Sequence, residues 1–344
     1  MQLQQNQIQQ EEFCYELQPQ FTINQKEQCN AIAFNQNKQL LLVAYDKNIK
    51  VYQFNNGLLI LIQIIPKNRY NITILNFFSY NKYTQFISGS CDSVIIIRSI
   101  TQLRNQKYIQ KLNSHQRGIC CLVIGQDQNM FLSGSVDQTI KLWSCFQQQQ
   151  ISCQWSCQQT IIDHTNDVYA LDINQQQTKA ISCGYDDTML IMDIVKYMQI
   201  YKLILKQKIK LSNFGYRILF LNDQDFIFQS YNAKFLSLFQ LNQNQQYVIT
   251  QQLPVQSLSQ QCNIFFQPQL IRSKGFFACK NSQNLNFIRF NSISNELELL
   301  HSIKLDNYQQ YGQLSEDGEY LITWDEKLEQ LQIRKYKTIH MQIN

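Results

Sequence analysis

Three observations predict an all-β fold: a seven-bladed β-propeller of four-stranded antiparallel blades, its ring closed by the N-terminal strand in the last blade. The first is a period. An Asp or Asn recurs in a short polar turn at Asp46, Asp92, Asp137, Asp186, Asn232, Asn281 and Asp325, in steps of 46, 45, 49, 46, 49 and 44 residues. A near-constant step in the forties means one supersecondary unit repeated. The second is texture. Each unit holds strand-length runs of Ile, Leu, Val, Phe and Tyr, separated by Asn, Asp, Gln or Gly turns. No blade hides both of its faces alone, so blades must stack, and a ring leaves only short edges. The third lies upstream of the first complete unit, where Phe13-Cys-Tyr-Glu-Leu17 and Phe21-Thr-Ile23 have no strand partner. They find one if residues 13–23 form the outer strand of blade seven, with inner strands from about 311–336. No sequence then remains for an eighth blade.

The third unit is the clearest, reading Phe131-Leu-Ser-Gly-Ser-Val-Asp-Gln-Thr-Ile-Lys-Leu-Trp143. Its Thr139–Trp143 stretch alternates polar and apolar as a half-buried strand does, and Asp137 opens a turn whose N–H groups a carboxylate accepts. Units two and four carry Phe86-Ile-Ser-Gly-Ser-Cys-Asp92 and Ala180-Ile-Ser-Cys-Gly-Tyr-Asp186. This pattern resembles the WD-repeat family of β-propellers, over nearly the whole chain and most strongly from about residue 86 to 194. The resemblance implies a buried polar network in a strong blade, joining a His, a Ser or Thr, the turn Asp and a Trp. Unit three has His115, Ser133, Asp137 and Trp143. Unit four has His164, Ser182 and Asp186, with Met192 in the Trp position, and unit two has Ser88 and Asp92, with Arg98 there. Units one, five, six and seven place Leu42, Phe228, Phe277 and Leu321 where the Ser would stand, which predicts apolar packing in place of the network. Units five and six rest on spacing more than on motif.

The expected organisation is a disordered polar tail over residues 1–12, one propeller over 13–336 and a short tail over 337–344. The first twelve residues lack the basic start and apolar core of a secretory signal. The longest apolar run, Leu58–Ile65, is too short to span a bilayer and suits a buried strand. Hydrophobic residues make up 44% of the 344, enough for a core, and charged residues only 16%. With only 10 Gly and 4 Pro, Asn, Asp and Gln must serve most turns, and the runs Gln147–Gln150 and Gln175–Gln177 read as loop residues between strands. Eleven cysteines without a secretion signal predict free thiols in a reducing compartment. The expected location is the cytoplasm, free or within a cytoskeletal or ciliary assembly.

Catalytic and metal chemistry find little support. Two of the four histidines belong to the expected networks. Cys153 and Cys157 with His164 lack the spacing and the second pair of a zinc site, so no metal and no cofactor are expected. No phosphate loop or nucleophile elbow occurs, and the chain is expected not to be an enzyme. The net charge of +5 is spread out, with a denser spot at Lys196, Lys202, Lys206, Lys208 and Lys210. Lys206, Lys208 and Lys210 would share one face of a strand, either guarding an edge or docking an acidic partner. Aromatics interleaved as a nucleic-acid groove requires are not evident, and no membrane insertion is expected.

In WD-repeat propellers the residue before the turn Asp points to the rim of the top face. By that resemblance the rim holds Tyr45, Cys91, Val136, Tyr185, Tyr231, Lys280 and Trp324. Four are large aromatics, the residue class that anchors interfaces, and Arg117 and Arg217 could join them. The implied function is a non-catalytic scaffold for protein or peptide partners. Two narrower readings stay open. Trp155-x-Cys157, His164-Thr-x-Asp-Val168 and Tyr185-Asp-Asp-Thr188 resemble one blade of the cytosolic iron–sulfur assembly propeller. A ubiquitin-ligase substrate receptor would carry Trp-Asp-x-Arg where this chain has Trp143-Ser-Cys-Phe146 and Met192-Asp-Ile-Val195.

Overall fold

Seven antiparallel sheets follow one another around a ring, six assembled from consecutive strands and the seventh completed by N-terminal strands. This computed structural model describes all residues except 1–11, 67–69, 80–83, 101–107, 149–151, 199, 258–261, 263–265, 306–309 and 340–344, with side chains also left out at 146–148 and 152–153. Blade three is formed by Ile119–Ile124, Met130–Ser135, Ile140–Gln148 and Ser152–Ile161. Blade four is formed by Val168–Ile173, Lys179–Gly184, Thr188–Tyr197 and Ile200–Lys210. Blades five and six, inferred from spacing, are regular: each pairs four strands in order. Gln147 and Gln148 extend a strand, where a loop was expected; Gln149 and Gln150 lie outside the described residues.

Ring closure is direct. Glu12–Leu17 pairs antiparallel with Gln330–Ile339, the third strand of blade seven, and Ile23–Asn24 joins the same strand higher up. The strands thus run from Glu12 to Ile339, while residues 1–11 and 340–344 of the two expected tails lie outside the described residues.

The core is divided among the blade interfaces. Seven clusters of buried side chains each join one blade to the next, from Leu132, Leu142, Leu190 and Met192 between blades three and four to Phe54, Tyr320 and Trp324 between seven and one. This is why Ser-Gly-Ser recurs on second strands. A Cβ on Gly134 would lie 2.7 Å from Val168 Cγ1, on the first strand of the following blade. Any side chain there would push adjacent blades apart, and close-packed interiors do not absorb that without strain.

Blade three contains the full polar network. Trp143 Nε1 donates to Ser133 Oγ at 2.9 Å, and Ser133 Oγ lies 2.8 Å from His115 Nε2. His115 Nδ1 is 2.8 Å from Asp137 Oδ2, which also accepts the Gln116 N–H at 2.8 Å. Blade four repeats this with His164, Ser182 and Asp186 at 2.9–3.1 Å, and Met192 is wholly buried in place of the Trp. In blade two, Arg98 takes the Trp role and donates to Ser88 Oγ at 2.7 Å.

Two of the blades expected to rely on apolar packing do otherwise. In blade seven Arg334 donates to Thr323 Oγ1 at 2.7 Å and to Gln332 Oε1 at 2.6 Å, and Gln332 donates to the buried Asp325 at 3.1 Å. In blade five the buried Gln229 donates to the carbonyls of Ala233 and Phe235, both at 3.1 Å. Phe228 does stand in the Ser position, but in blade seven Arg334 pairs with Leu321 and bonds Thr323 as Arg98 pairs with Phe86 and bonds Ser88, so Thr323 and not Leu321 holds the Ser place.

Two further expectations are corrected. Leu58–Ile65 is the outermost strand of blade one, with most of its apolar side chains exposed; its residue types fit a core, but its place in the repeat puts it on the rim. Cys145 is disulfide-bonded, whereas all thiols were expected to be free; nine other cysteines are free. Paired antiparallel strands run close enough for two thiols to meet without backbone movement.

Candidate partner-binding face

First strands enter each blade at the same end as the turns that carry the Asp or Asn. In blades one to five the pairing of first and second strands shifts register near its start, leaving Asn30, Thr73, Cys120, Tyr169 and Tyr216 as the extra residue. A bulge re-aims its side chain away from the ladder, so two successive bulges present tyrosines at this end of blades four and five.

They complete an aromatic patch. Tyr169 meets Tyr216 at 5.0 Å and Tyr185 at 5.8 Å between ring centroids. Phe214 meets Tyr185 edge-on at 4.5 Å and stacks on Tyr231 at 4.7 Å, and Tyr216 meets Tyr231 at 5.6 Å. Tyr185 is 47% exposed, and the other four rings are partly exposed around it. Burial and the Asp167 carboxylate raise the Tyr169 hydroxyl pKa above the ordinary phenol range, and burial beside Tyr231 pushes Tyr216 up to about 12. Both remain neutral hydrogen-bond donors at physiological pH.

The seven rim positions therefore do not act as one set. Tyr185 and Tyr231 reach the patch. Tyr45 is buried with Lys50 Nζ 4.5 Å above its ring, and Trp324 is 2% exposed, its indole N–H bonded to Gln25 O at 3.0 Å. Lys280 is fully buried, and that burial, with Arg217 nearby, pulls its pKa down to about 7. Arg217, expected on this face, points inward and donates to Phe266 O and Cys262 Sγ, both at 3.0 Å. Tyr45, Lys280 and Trp324 lie within the second strands of their blades rather than in the turns, and all three side chains are buried. Arg117 is exposed on the adjoining blade three, donating to Val136 O at 3.4 Å. Sequence reasoning missed Tyr169, Phe214 and Tyr216. The signal was present as an aromatic on either side of Gly215 and another immediately after Val168.

The lysine strand is largely engaged by its own protein. Lys196 pairs with Asp127 at 2.9 Å, Lys206 with Asp193 at 3.3 Å, and Lys208 donates to Asp163 O at 2.6 Å. Lys210 donates to Asp186 O at 2.9 Å, while Lys202 is exposed. A register shift at Lys206 interrupts the expected alternation of Lys206, Lys208 and Lys210.

The ring encloses a channel of about 510 Å³, and Asp172 lines its wall. Its Oδ2 accepts the Phe220 N–H at 2.6 Å, yet burial pushes the carboxyl pKa up to about 7. A carboxyl whose folded pKa lies above its unfolded value near 4 contributes fully below that value and loses its contribution as pH rises through about 7. Asp172→Asn keeps an acceptor for Phe220. It is expected to be close to neutral at about pH 4 and to stabilise by roughly 2 kcal/mol at about pH 8, the channel wall softening the full effect. Urea unfolding at both pH values tests this, and a pH-independent difference would reject it.

Comparison with known proteins agrees with the ring. The model of the family described as WD domain, G-beta repeat, matches residues 17–53, 106–144 and 155–193. The chain is 28% identical over 115 residues to WD repeat-containing protein 82 of Drosophila melanogaster, covering 33% of this chain and 35% of that protein. It is 26% identical over 121 residues to a CCR4-associated factor 4 homolog of Vanderwaltozyma polyspora, covering 35% of this chain and 17% of that protein. A probable inactive protein kinase of Dictyostelium discoideum is 28% identical over 153 residues, covering 41% of this chain and 11% of that protein. Each match thus spans about a third or less of the relative. A chain in a crystal structure of the mitotic checkpoint complex superposes with a TM-score of 0.70 at 14% identity, covering 92% of this chain and 95% of that one. The repeat matches and the seven-bladed ring are consistent with a WD-repeat β-propeller, a family that is generally non-enzymatic. Among the described residues no helix is long and apolar enough to cross a membrane.

Proposed function

We propose that this chain is a non-catalytic scaffold that binds a protein or peptide partner on the aromatic patch of blades four and five, with Arg117 at its border. One observation carries the reading: five rings in mutual contact, from two blades, converge at one end of the ring around the exposed Tyr185. Tyr and Phe bury large area while losing little side-chain entropy, and such anchors dominate binding energy. Rings that only packed a core would be covered, whereas these leave a contiguous, partly exposed surface.

The test compares tagged wild type with the variant Tyr185→Ser/Phe214→Ser by affinity purification and mass spectrometry. Proteins retained by wild type and lost by the variant, at least tenfold, are expected. Circular dichroism and melting temperature confirm that the variant is folded, and Tyr185→Lys alone, at the most exposed ring, is the control if it is not. The same proteins with all variants would move the site elsewhere on the ring, and Lys202, the exposed member of the lysine strand, would then be tested for an acidic partner.

A further inference from the structure

We infer that the outer strand of blade one, Leu58–Ile65, pairs with the same strand of a second copy of this chain, giving a two-fold dimer joined side to side. This strand bonds to Asn48–Asn55 on one side and ends its sheet on the other. Leu58, Ile60, Leu61, Ile62 and Ile64 are 44–52% exposed, so five of its eight residues offer apolar surface to solvent. The strand contains no charged residue, and Gln63 is its only polar one.

Unguarded edges of this kind are a liability that folded proteins suppress with charges, Pro or polar side chains. The other blades here show that suppression. Outer strands carry Lys202, Lys206, Lys208 and Lys210 in blade four, Glu296, Glu298 and Lys304 in blade six, and Glu12 and Glu16 in blade seven. Blade two has Lys111, blade three a mostly polar Ser152–Ile161, and blade five ends in Gln251, Gln252 and Pro254. Among the described outer strands only that of blade one has no charge, no Pro and no more than one polar side chain, which is expected of a strand that is covered when the protein works.

The strand's own pattern selects the occupant. In an antiparallel pair about an axis between Leu61 and Ile62, Leu58 faces Ile65, Leu59 faces Ile64, Ile60 faces Gln63 and Leu61 faces Ile62. With the axis through Ile62 itself, Ile60 faces Ile64 and Leu59 faces Ile65. In either register apolar meets apolar except where Gln63 faces Ile60 or Leu61, and no like charges are brought together. A register shift leaves Ile62 as an extra residue against the inner strand, so the irregular points of both copies fall together near the axis. A two-fold contact uses one patch twice and closes, so each copy covers the other's edge and no further edge is left for fibre growth.

The test is sedimentation equilibrium of the full chain against concentration. Wild type is expected to dimerise at micromolar concentration, and Ile60→Lys/Ile62→Lys to weaken association at least tenfold. Both side chains are half exposed, so an unchanged melting temperature should accompany that loss. Ile62→Cys, placed near the axis, is expected to cross-link copy to copy with a short bis-maleimide. A wild type that stays monomeric at tens of micromolar, or a dimer that survives the double Lys variant, would overturn the proposal. A monomer that instead takes up an uncharged apolar peptide would assign the edge to another partner. The variant Tyr185→Ser/Phe214→Ser should dimerise as wild type does, which keeps this result separate from the one on the aromatic patch.

Discussion

Phe13→Ala is expected to destabilise the ring by about 3–5 kcal/mol. Phe13 is buried on the closing strand, stacked on Tyr336 of blade seven at 5.2 Å and on Phe276 of blade six at 5.1 Å. It also meets Phe287 edge-on at 5.6 Å and His301 at 5.8 Å. One side chain thus ties the closing strand to its own blade and to the next. Its removal loses the transfer energy of a buried ring and leaves a cavity between two sheets whose backbones are fixed by their ladders. Urea unfolding reads the loss directly. An unchanged midpoint would mean that closure does not depend on this contact.

Asp137→Ala is expected to cost about 1–3 kcal/mol, because it strands partners that the fold has already removed from water. The carboxylate accepts from His115, from the Gln116 and Thr139 N–H groups and from the Thr139 hydroxyl, the last at 2.6 Å. Burial alone would raise its pKa, but these bonds from His115, Thr139 and Gln116 outweigh it and hold the group well below the usual carboxylate range. The stability it contributes is therefore present above its unfolded value near 4 and is lost as pH falls through the lower folded value. The deficit of Asp137→Ala should accordingly shrink on acidification. Equal unfolding midpoints for the two proteins at neutral pH would undo the network's energetic role, and a deficit unchanged at about pH 3 would undo the assignment to the ionised carboxylate.

The ring was legible in the sequence because its signals are local and repeated. The turn Asp or Asn recurs at one step, and Ser-Gly-Ser marks the strand on which the next blade packs. Blades five and six could be placed by counting alone, since period fixes strand order even where Phe228 and Phe277 replace the motif Ser. What could not be read was the direction of individual side chains. Tyr185 and Trp324 each precede a counted Asp, yet Tyr185 lies beyond the strand Lys179–Gly184 and is exposed, whereas Trp324 lies within Tyr320–Asp325 and is buried against Gln25. The difference is one of strand register, which counting from the turn residue does not record. Leu58–Ile65 likewise read as core: residue type indicates burial, but place in the repeat decides it. The Gln332 and Arg334 network of blade seven escaped notice because Thr323 and Arg334 stand two residues before and nine after Asp325, whereas Ser88 and Arg98 stand four before and six after Asp92.

The closing strand also dictates an order of events. Tyr15 donates to Gly318 O, 303 residues further along the chain. At roughly 5–20 residues per second, synthesis of that interval takes on the order of 15–60 s. Phe13 and Tyr15 lack the blade-six rings until Phe276 and Phe287 are made, and lack the strand Gln330–Ile339 throughout. The nascent chain therefore carries an unpaired apolar strand, a natural client for chaperones, and the ring locks only once blade seven has left the ribosome.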